Sequence, residues 1–149
     1  MTLSACGGKE DIPEADSSLP ESENVYTEET DKIAETGSEA MTYRTEEITC
    51  EDSGKSIYGV AYIPSGEGKF PLVIFSHELG NNHEAGSRYG ERLAENGIAA
   101  YTFDFRGGSV SGKENRSSGS NSEMSVMTES DDLKLVINKA KTWDFVDTD

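Results

Sequence analysis

A histidine and a glutamate, His77 and Glu78, follow a short apolar run and form the first pair of side chains here that suggests chemistry. His-Glu opens the motif H-E-x-x-H, in which two histidines one helical turn apart bind zinc and the glutamate is the base. The second histidine would fall at position 81, which is Asn81, and His83 is two positions too late to share that helix face. Because the ligand spacing is wrong, the sequence predicts no metal site here.

The run before this pair is the most apolar stretch of the chain, FPLVIFSHELG at residues 70–80. An apolar run this short, with a proline near its start and polar residues at its end, is typical of a strand buried on both faces. In open α/β sheets, ligands bind beyond the carboxyl ends of such strands. Residues 76–82 are therefore where we expect function.

Serine is abundant downstream, but no serine has the surroundings of a nucleophile. The loop 106–122 holds many hydroxyls and no adjacent base. The nucleophile pattern G-x-S-x-G is absent, since the nearest match, residues 108–112, has Val110 at its centre. No histidine follows His83, so a serine, acid and histidine set in that order is missing from these residues.

The elements that would position this chemistry follow from residue patterns. Alternating residues predict a hairpin of strands 44–51 and 57–63 around a turn at 52–55, with Cys50 as a small buried residue. A second apolar run, 98–105, predicts another buried strand.

Two helices are expected beside these strands. The first carries Ala85, Tyr89 and Leu93 every four residues and stops near Asn96-Gly97, and Gly86 and Gly90 on a neighbouring row would let it approach the sheet closely. The second has an apolar face and a capping pair of Thr128 and Asp131; its face is formed by Leu133, Val136, Ile137 and Ala140. Strand, helix and strand in this order predict a parallel βαβ unit, and no strand is expected after the second helix.

Composition separates the chain into two parts. The 149 residues carry a net charge of -16, which argues against nucleic-acid binding because phosphates require clustered Lys and Arg. Residues 1–41 are acidic, contain Pro13 and Pro20 and lack apolar periodicity, so we predict a disordered linker there and a folded domain at 42–149.

The first residues suggest an anchor. The tetrapeptide ending at Cys6, Leu-Ser-Ala-Cys, resembles the lipid attachment site of bacterial lipoproteins, which implies a lipid on Cys6 and a protein tethered to a membrane at the cell surface. Five residues before Cys6 are too few for an export signal, so this interpretation requires Met1 not to be the natural start. The alternative is a free thiol in a disordered end.

Residues 44–143 resemble the first half of an α/β-hydrolase domain, closest to the esterase and dienelactone-hydrolase-like branch. One strand ends in Ser76-His77, and after a helix the next strand ends in Asp104-Phe105-Arg106-Gly107, a turn like that family's Asp-x-Arg-Gly. The resemblance implies a partial α/β fold, namely an N-terminal hairpin plus a parallel βαβα unit with an incomplete sheet. It also implies a serine esterase that needs no cofactor.

For the site, the resemblance implies that the Leu79 backbone N–H donates to the oxyanion, with His77 and Glu78 in the same loop. Glu78 stands where the family commonly has glycine. His77 is expected to make a structural hydrogen bond, and Asp104 and Arg106 are expected to be turn formers that bind neighbouring backbone.

The missing nucleophile leads to a further expectation. The chain should be the N-terminal part of a serine hydrolase of small carboxylic esters, truncated at both ends and catalytically inactive by itself. It should also be liable to self-association through an unpaired sheet edge. The alternative is a surface lipoprotein or hydrolase relic with a binding role.

Overall fold

The computed structural model describes residues 41–108 and 113–149. These residues form a four-stranded mixed sheet in the order β1-β2-β4-β3, with one principal helix on each face. The strands are β1 (Tyr43–Asp52), β2 (Lys55–Pro64), β3 (Leu72–Ser76) and β4 (Ala99–Phe103), and the helices are α1 (Ser87–Ala94) and α2 (Val126–Ala140). The predicted hairpin and the parallel βαβ unit are thus both confirmed, with β3 and β4 parallel and the other pairs antiparallel.

The two apolar strands differ in burial, which corrects one expectation. All five residues of β4 are buried, as predicted. β3 is only half-buried, and Val73 is 40% exposed, so the prediction that β3 is buried on both faces is wrong for the described residues. The physical reason is position, because β4 lies between β2 and β3 whereas β3 has β4 as its only partner strand in the described part of the chain.

Helix α1 follows a 3-10 turn (His83–Gly86) and presents small residues to the sheet. Gly86, Gly90 and Ala94 are its buried positions. A Cβ on Gly86 would lie 2.4 Å from Thr102 Cγ2, so the predicted close approach is confirmed. The expectation that Tyr89 belongs to the buried row is wrong, since Tyr89 is 62% exposed and only stacks on Phe75, with ring centroids 5.5 Å apart.

Helix α2 begins one turn earlier than the capping pair predicted from Thr128 and Asp131. Ser125 is the N-cap residue and accepts a hydrogen bond from the Thr128 N–H at 3.2 Å, while Thr128 Oγ1 accepts one from the Ser125 N–H at 2.8 Å. Ser125 is itself a favourable N-cap, and the threonine hydroxyl completes the reciprocal pair. Asp131 instead forms an exposed ion pair with Lys134.

The last residues fold back to the sheet through an isolated bridge, and no strand follows α2 in the described residues, as expected. Val146 forms a parallel bridge with Phe70, supported by the hydrogen bonds Phe70 N–H to Phe145 O (2.8 Å) and Asp147 N–H to Phe70 O (2.9 Å). Phe145 and Val146 are buried because they close the end of the core beneath α2.

The main core lies between the sheet and α2 and includes the hairpin. Cys50 is 2% exposed there, and burial raises the pKa of its thiol, so it is the small buried residue that the sequence predicted. In residues 41–108 and 113–149 no helix is both long and apolar enough to span a bilayer.

Candidate functional site

His77 lies just after β3 and is held by both ring nitrogens. Its Nε2 accepts a hydrogen bond from the Phe105 N–H at 3.3 Å, and its Nδ1 lies 2.9 Å from the Glu78 carbonyl oxygen. This pairing assigns the proton to Nδ1, because Nε2 must be the acceptor. The ring is buried and packs edge-on against Phe105. These contacts tie the start of the loop 77–83 to the end of β4, as expected of a structural hydrogen bond.

Glu78, at the position where a glycine is common, turns its carboxylate toward its own loop. Asn81 Nδ2 donates to Glu78 Oε1 at 2.5 Å, and Lys113 Nζ donates to Asn81 Oδ1 at 2.5 Å. A hydrogen bond from its own backbone N–H, and next the one from Asn81, hold the pKa of the Glu78 carboxyl below its ordinary value. The carboxylate is therefore ionised at neutral pH with its oxygens engaged, and Lys113 stands at the far end of the same chain of contacts.

Leu79 occupies the tip of the loop. Its side chain is 73% exposed, and within residues 41–108 and 113–149 no backbone or side-chain acceptor binds its N–H. An N–H that is free in the folded protein is what a donor to a developing oxyanion requires. The geometry is thus compatible with the role that the sequence predicted for Leu79.

A cleft separates this loop from the start of α2. It consists of two adjoining hollows of about 340 and 350 Å³ that share Val126 and Glu129; one reaches Leu79 and the other reaches Ser76, His77 and Phe105. Two large apolar residues of its lining, Leu79 (73% exposed) and Val126 (80% exposed), are open to solvent. Exposed apolar side chains grouped in this way are typical of a binding surface.

The structure also brings together His83 and Asp104, a contact that was not predicted from the sequence. The His83 backbone N–H lies 2.6 Å and the ring Nδ1 2.8 Å from Asp104 Oδ1, and the Arg116 N–H donates to Oδ2 at 3.0 Å. Asp104 is 1% exposed. A signal was available: His83 follows β3 and Asp104 follows β4, and parallel neighbouring strands end at the same edge of a sheet.

The serine-rich loop after β4 binds the part of β2 that does not pair with β4. Ser117 Oγ donates to the Asp104 carbonyl and accepts from the Tyr58 N–H, while Ser118 Oγ does the same with the carbonyl and N–H of Ser56. Both hydroxyls bind backbone groups. The pattern around Val110 lies outside the described residues.

Arg116 stabilises the outer side of this loop. Its guanidinium binds Glu47 at 3.0 Å, stacks 3.7 Å from the centroid of the Tyr58 ring and donates to the Tyr58 hydroxyl. Burial, followed by the hydrogen bond with Glu47, raises the pKa of Tyr58 to about 12.

Arg106 was expected to bind neighbouring backbone, and this prediction is wrong. Its side chain binds a side chain of α2 instead. Its guanidinium donates to Asp132 Oδ1, and its backbone N–H donates to Asp132 Oδ2 at 2.9 Å. Asp132 is 1% exposed, so a carboxylate buried in the helix satisfies the turn. As for metals, no group of three suitable ligands occurs in the part of the chain that the structure describes.

Comparison with known protein families shows which family the chain belongs to. The model of the family "Platelet-activating factor acetylhydrolase, isoform II" matches residues 14–142. The chain belongs to this family. The platelet-activating factor acetylhydrolase match confirms the α/β-hydrolase resemblance read from the turns after β3 and β4. The match begins at residue 14, ahead of residue 42, where the folded domain was predicted to start.

Solved structures agree on the fold of this acetylhydrolase family member. DcsB, solved in complex with its substrate analogue, is 20% identical with a TM-score of 0.58 over 71% of this chain and 34% of that one. The thioesterase domain from the curacin biosynthetic pathway is 23% identical with a TM-score of 0.51 over 64% and 32%. The chain thus spans about a third of the length of either structure. No curated protein matches it significantly.

Proposed function

We propose that this chain is the N-terminal part of a serine hydrolase of small carboxylic esters, in which the Leu79 N–H stabilises the oxyanion of an acyl-enzyme reaction. The observation that supports this most is the Leu79 N–H, which binds no acceptor within the described residues and lies beside an apolar cleft at the carboxyl end of β3. The family supports the same reaction class, because it is named for an acetylhydrolase. The nucleophile and its acid and base partners are proposed to follow Asp149 in the polypeptide.

Glu78 is compatible with this role through its contacts. A carboxylate beside an oxyanion opposes charge development, yet the one on Glu78 is directed to Asn81, and Lys113 lies beyond it. We propose that this chain of contacts keeps the negative charge away from the Leu79 donor.

The 149-residue chain should not hydrolyse p-nitrophenyl acetate above the rate of an unfolded control. Continuing the coding sequence past Asp149 and expressing the longer polypeptide should restore turnover, and a serine-directed fluorophosphonate should abolish it. Turnover by the 149-residue chain would contradict the assignment of the nucleophile. A folded longer chain without turnover would favour the alternative, a non-catalytic relic with a binding role.

A matched pair of substitutions tests the donor in the longer chain. Leu79→Pro removes the N–H, and we expect kcat to fall by about 10²–10³-fold, the usual cost of losing one oxyanion donor. Leu79→Ala keeps the N–H and should retain most of kcat. Equal losses in the two variants would contradict a role for the backbone N–H.

Within the described residues β3 has no partner strand on the edge away from β4, and we propose that this edge causes self-association of the 149-residue chain. Sedimentation velocity should show concentration-dependent oligomers that Val73→Lys suppresses, because a charge at an exposed edge position opposes pairing. Thr49→Lys, at an exposed position of the opposite edge strand, is the control and should leave the oligomers in place. A monomer at all concentrations would contradict this proposal.

Attachment to the membrane at the cell surface remains a proposal, because Cys6 and the linker before residue 41 lie outside the described residues. The mass of the protein isolated from membranes of its own host would reveal a lipid on Cys6.

A further inference from the structure

Two loops meet at one buried carboxylate on the side of the sheet that carries the proposed donor. The first, residues 77–83, contains Leu79; the second, residues 113–118, follows β4. Asp104 accepts hydrogen bonds from the backbone N–H and ring of His83 in the first loop and from the Arg116 N–H in the second. Three donors on a carboxylate that is 1% exposed make this contact difficult to replace with water.

Further contacts join the same two loops. Asn82 is 2% exposed and donates from Nδ2 to the Glu114 carbonyl at 3.2 Å, while its Oδ1 accepts from the Glu84 N–H at 3.2 Å. Lys113 reaches Asn81. The bonds of Asn82 to Glu114 and of Lys113 to Asn81 link one loop to the other. Asp104 binds both loops at the end of the buried strand β4, next to the Phe105 N–H that binds His77.

The loop 77–83 is therefore held at both ends by consecutive residues. Its start is bound through His77 to the Phe105 N–H, and its end is bound through His83 to Asp104. The residues between, including Leu79, lack strand or helix pairing, so the anchors at the two ends decide where the Leu79 N–H points.

We infer that Asp104 is a positioning residue: it holds the loops 77–83 and 113–118 together and thereby orients the Leu79 N–H toward the cleft. The inference rests on the proposed function for the meaning of that orientation. Asp104 itself is turned to His83 and Arg116 and acts through them. A donor that is already oriented contributes to catalysis without reorganisation at the moment of reaction.

Backbone ¹⁵N relaxation in the 149-residue chain tests this without any turnover. Asp104→Ala should lower the order parameter of the Leu79 N–H from about 0.85 to below about 0.6, the values of rigid and flexible backbone, while residues of β2 and β4 stay rigid. Asp104→Asn keeps one acceptor oxygen for three donors and should give an intermediate order parameter for the Leu79 N–H. This variant also provides the test if the alanine variant does not fold.

Asp132→Asn is the matched control, because Asp132 is equally buried and binds the turn at Arg106 rather than the loop of Leu79. It should leave the Leu79 order parameter unchanged. An unchanged value in both Asp104 variants, or an equal drop in the Asp132 variant, would overturn the inference.

Measuring kcat and KM of the longer chain separates this inference from the proposed function. In the longer chain, Asp104→Asn should lower kcat by at least 10-fold with KM unchanged, since the substrate still binds the cleft. If the longer chain lacks esterase activity, the proposed function fails, and the relaxation result still decides the role of Asp104. A rise in KM with kcat unchanged would contradict the positioning role.

Discussion

Asp132→Ala should lower the free energy of unfolding by about 3–5 kcal/mol, the cost of breaking a buried ion pair from one side. The carboxylate is 1% exposed and binds both the guanidinium and the backbone N–H of Arg106, whose side chain is 17% exposed. Its removal leaves a mostly buried positive charge and an unpaired N–H. Urea denaturation followed by far-UV circular dichroism measures the change.

The neighbouring residue provides the control. Asp131 pairs with Lys134 at 3.3 Å on the solvent side of the same helix, and both side chains are more than half exposed. Asp131→Ala should change stability by less than about 0.5 kcal/mol, as is usual for exposed pairs. Adding Arg106→Met to Asp132→Ala should recover part of the loss, because the unpaired charge is then gone. Equal midpoints for the Asp131 and Asp132 variants would contradict the burial argument.

Gly90→Ala should destabilise the protein by about 1–3 kcal/mol, although alanine is the better helix former by up to about 1 kcal/mol. A Cβ on Gly90 would lie 2.5 Å from Tyr62 Cδ2, and α1 would have to move off the sheet. Gly86→Ala should act in the same direction, because its Cβ would meet Thr102 and Phe75. Thermal unfolding of the single variants measures both effects.

The direction of this change is the informative part. In a helix without close packing, Gly→Ala stabilises, so a higher melting temperature for the Gly90 variant would show that α1 does not approach β2 as described. Arg88→Ala, on the exposed side of α1, is the control and should be nearly neutral. Combining Gly90→Ala with Tyr62→Leu should recover stability, since a smaller side chain leaves room for the Cβ.

Much of the fold could be predicted because its signals are local. Alternating residues on either side of the turn at 52–55 produced the hairpin, and the apolar run 98–105 produced β4. The residue order of strand, helix and strand then predicted a parallel pair, and the turns after β3 and β4 indicated the α/β-hydrolase superfamily. These features depend on spacing along the chain, which the sequence contains directly.

Two incorrect predictions concern what lies beside an element. Tyr89 has the spacing of a buried residue, but the glycine row faces the sheet because only residues without a large side chain fit against Thr102 and Tyr62. β3 is apolar enough for a central strand, but within the described residues it is an edge strand. Burial depends on neighbours, and periodicity alone does not identify them.

The sequence by itself determined the hairpin, the βαβ unit, the loop that carries Leu79 and the absence of a G-x-S-x-G nucleophile pattern, since each depends on residue type and order. Only the tertiary structure decided that Glu78 is turned to Asn81, that Arg106 binds Asp132, and that His83 and Asp104 meet. Asp104 and His83 are 21 residues apart and become partners only because parallel pairing brings the carboxyl ends of β3 and β4 to one edge. The pairing of strands therefore places the anchor of the loop, while the residue order places the loop itself.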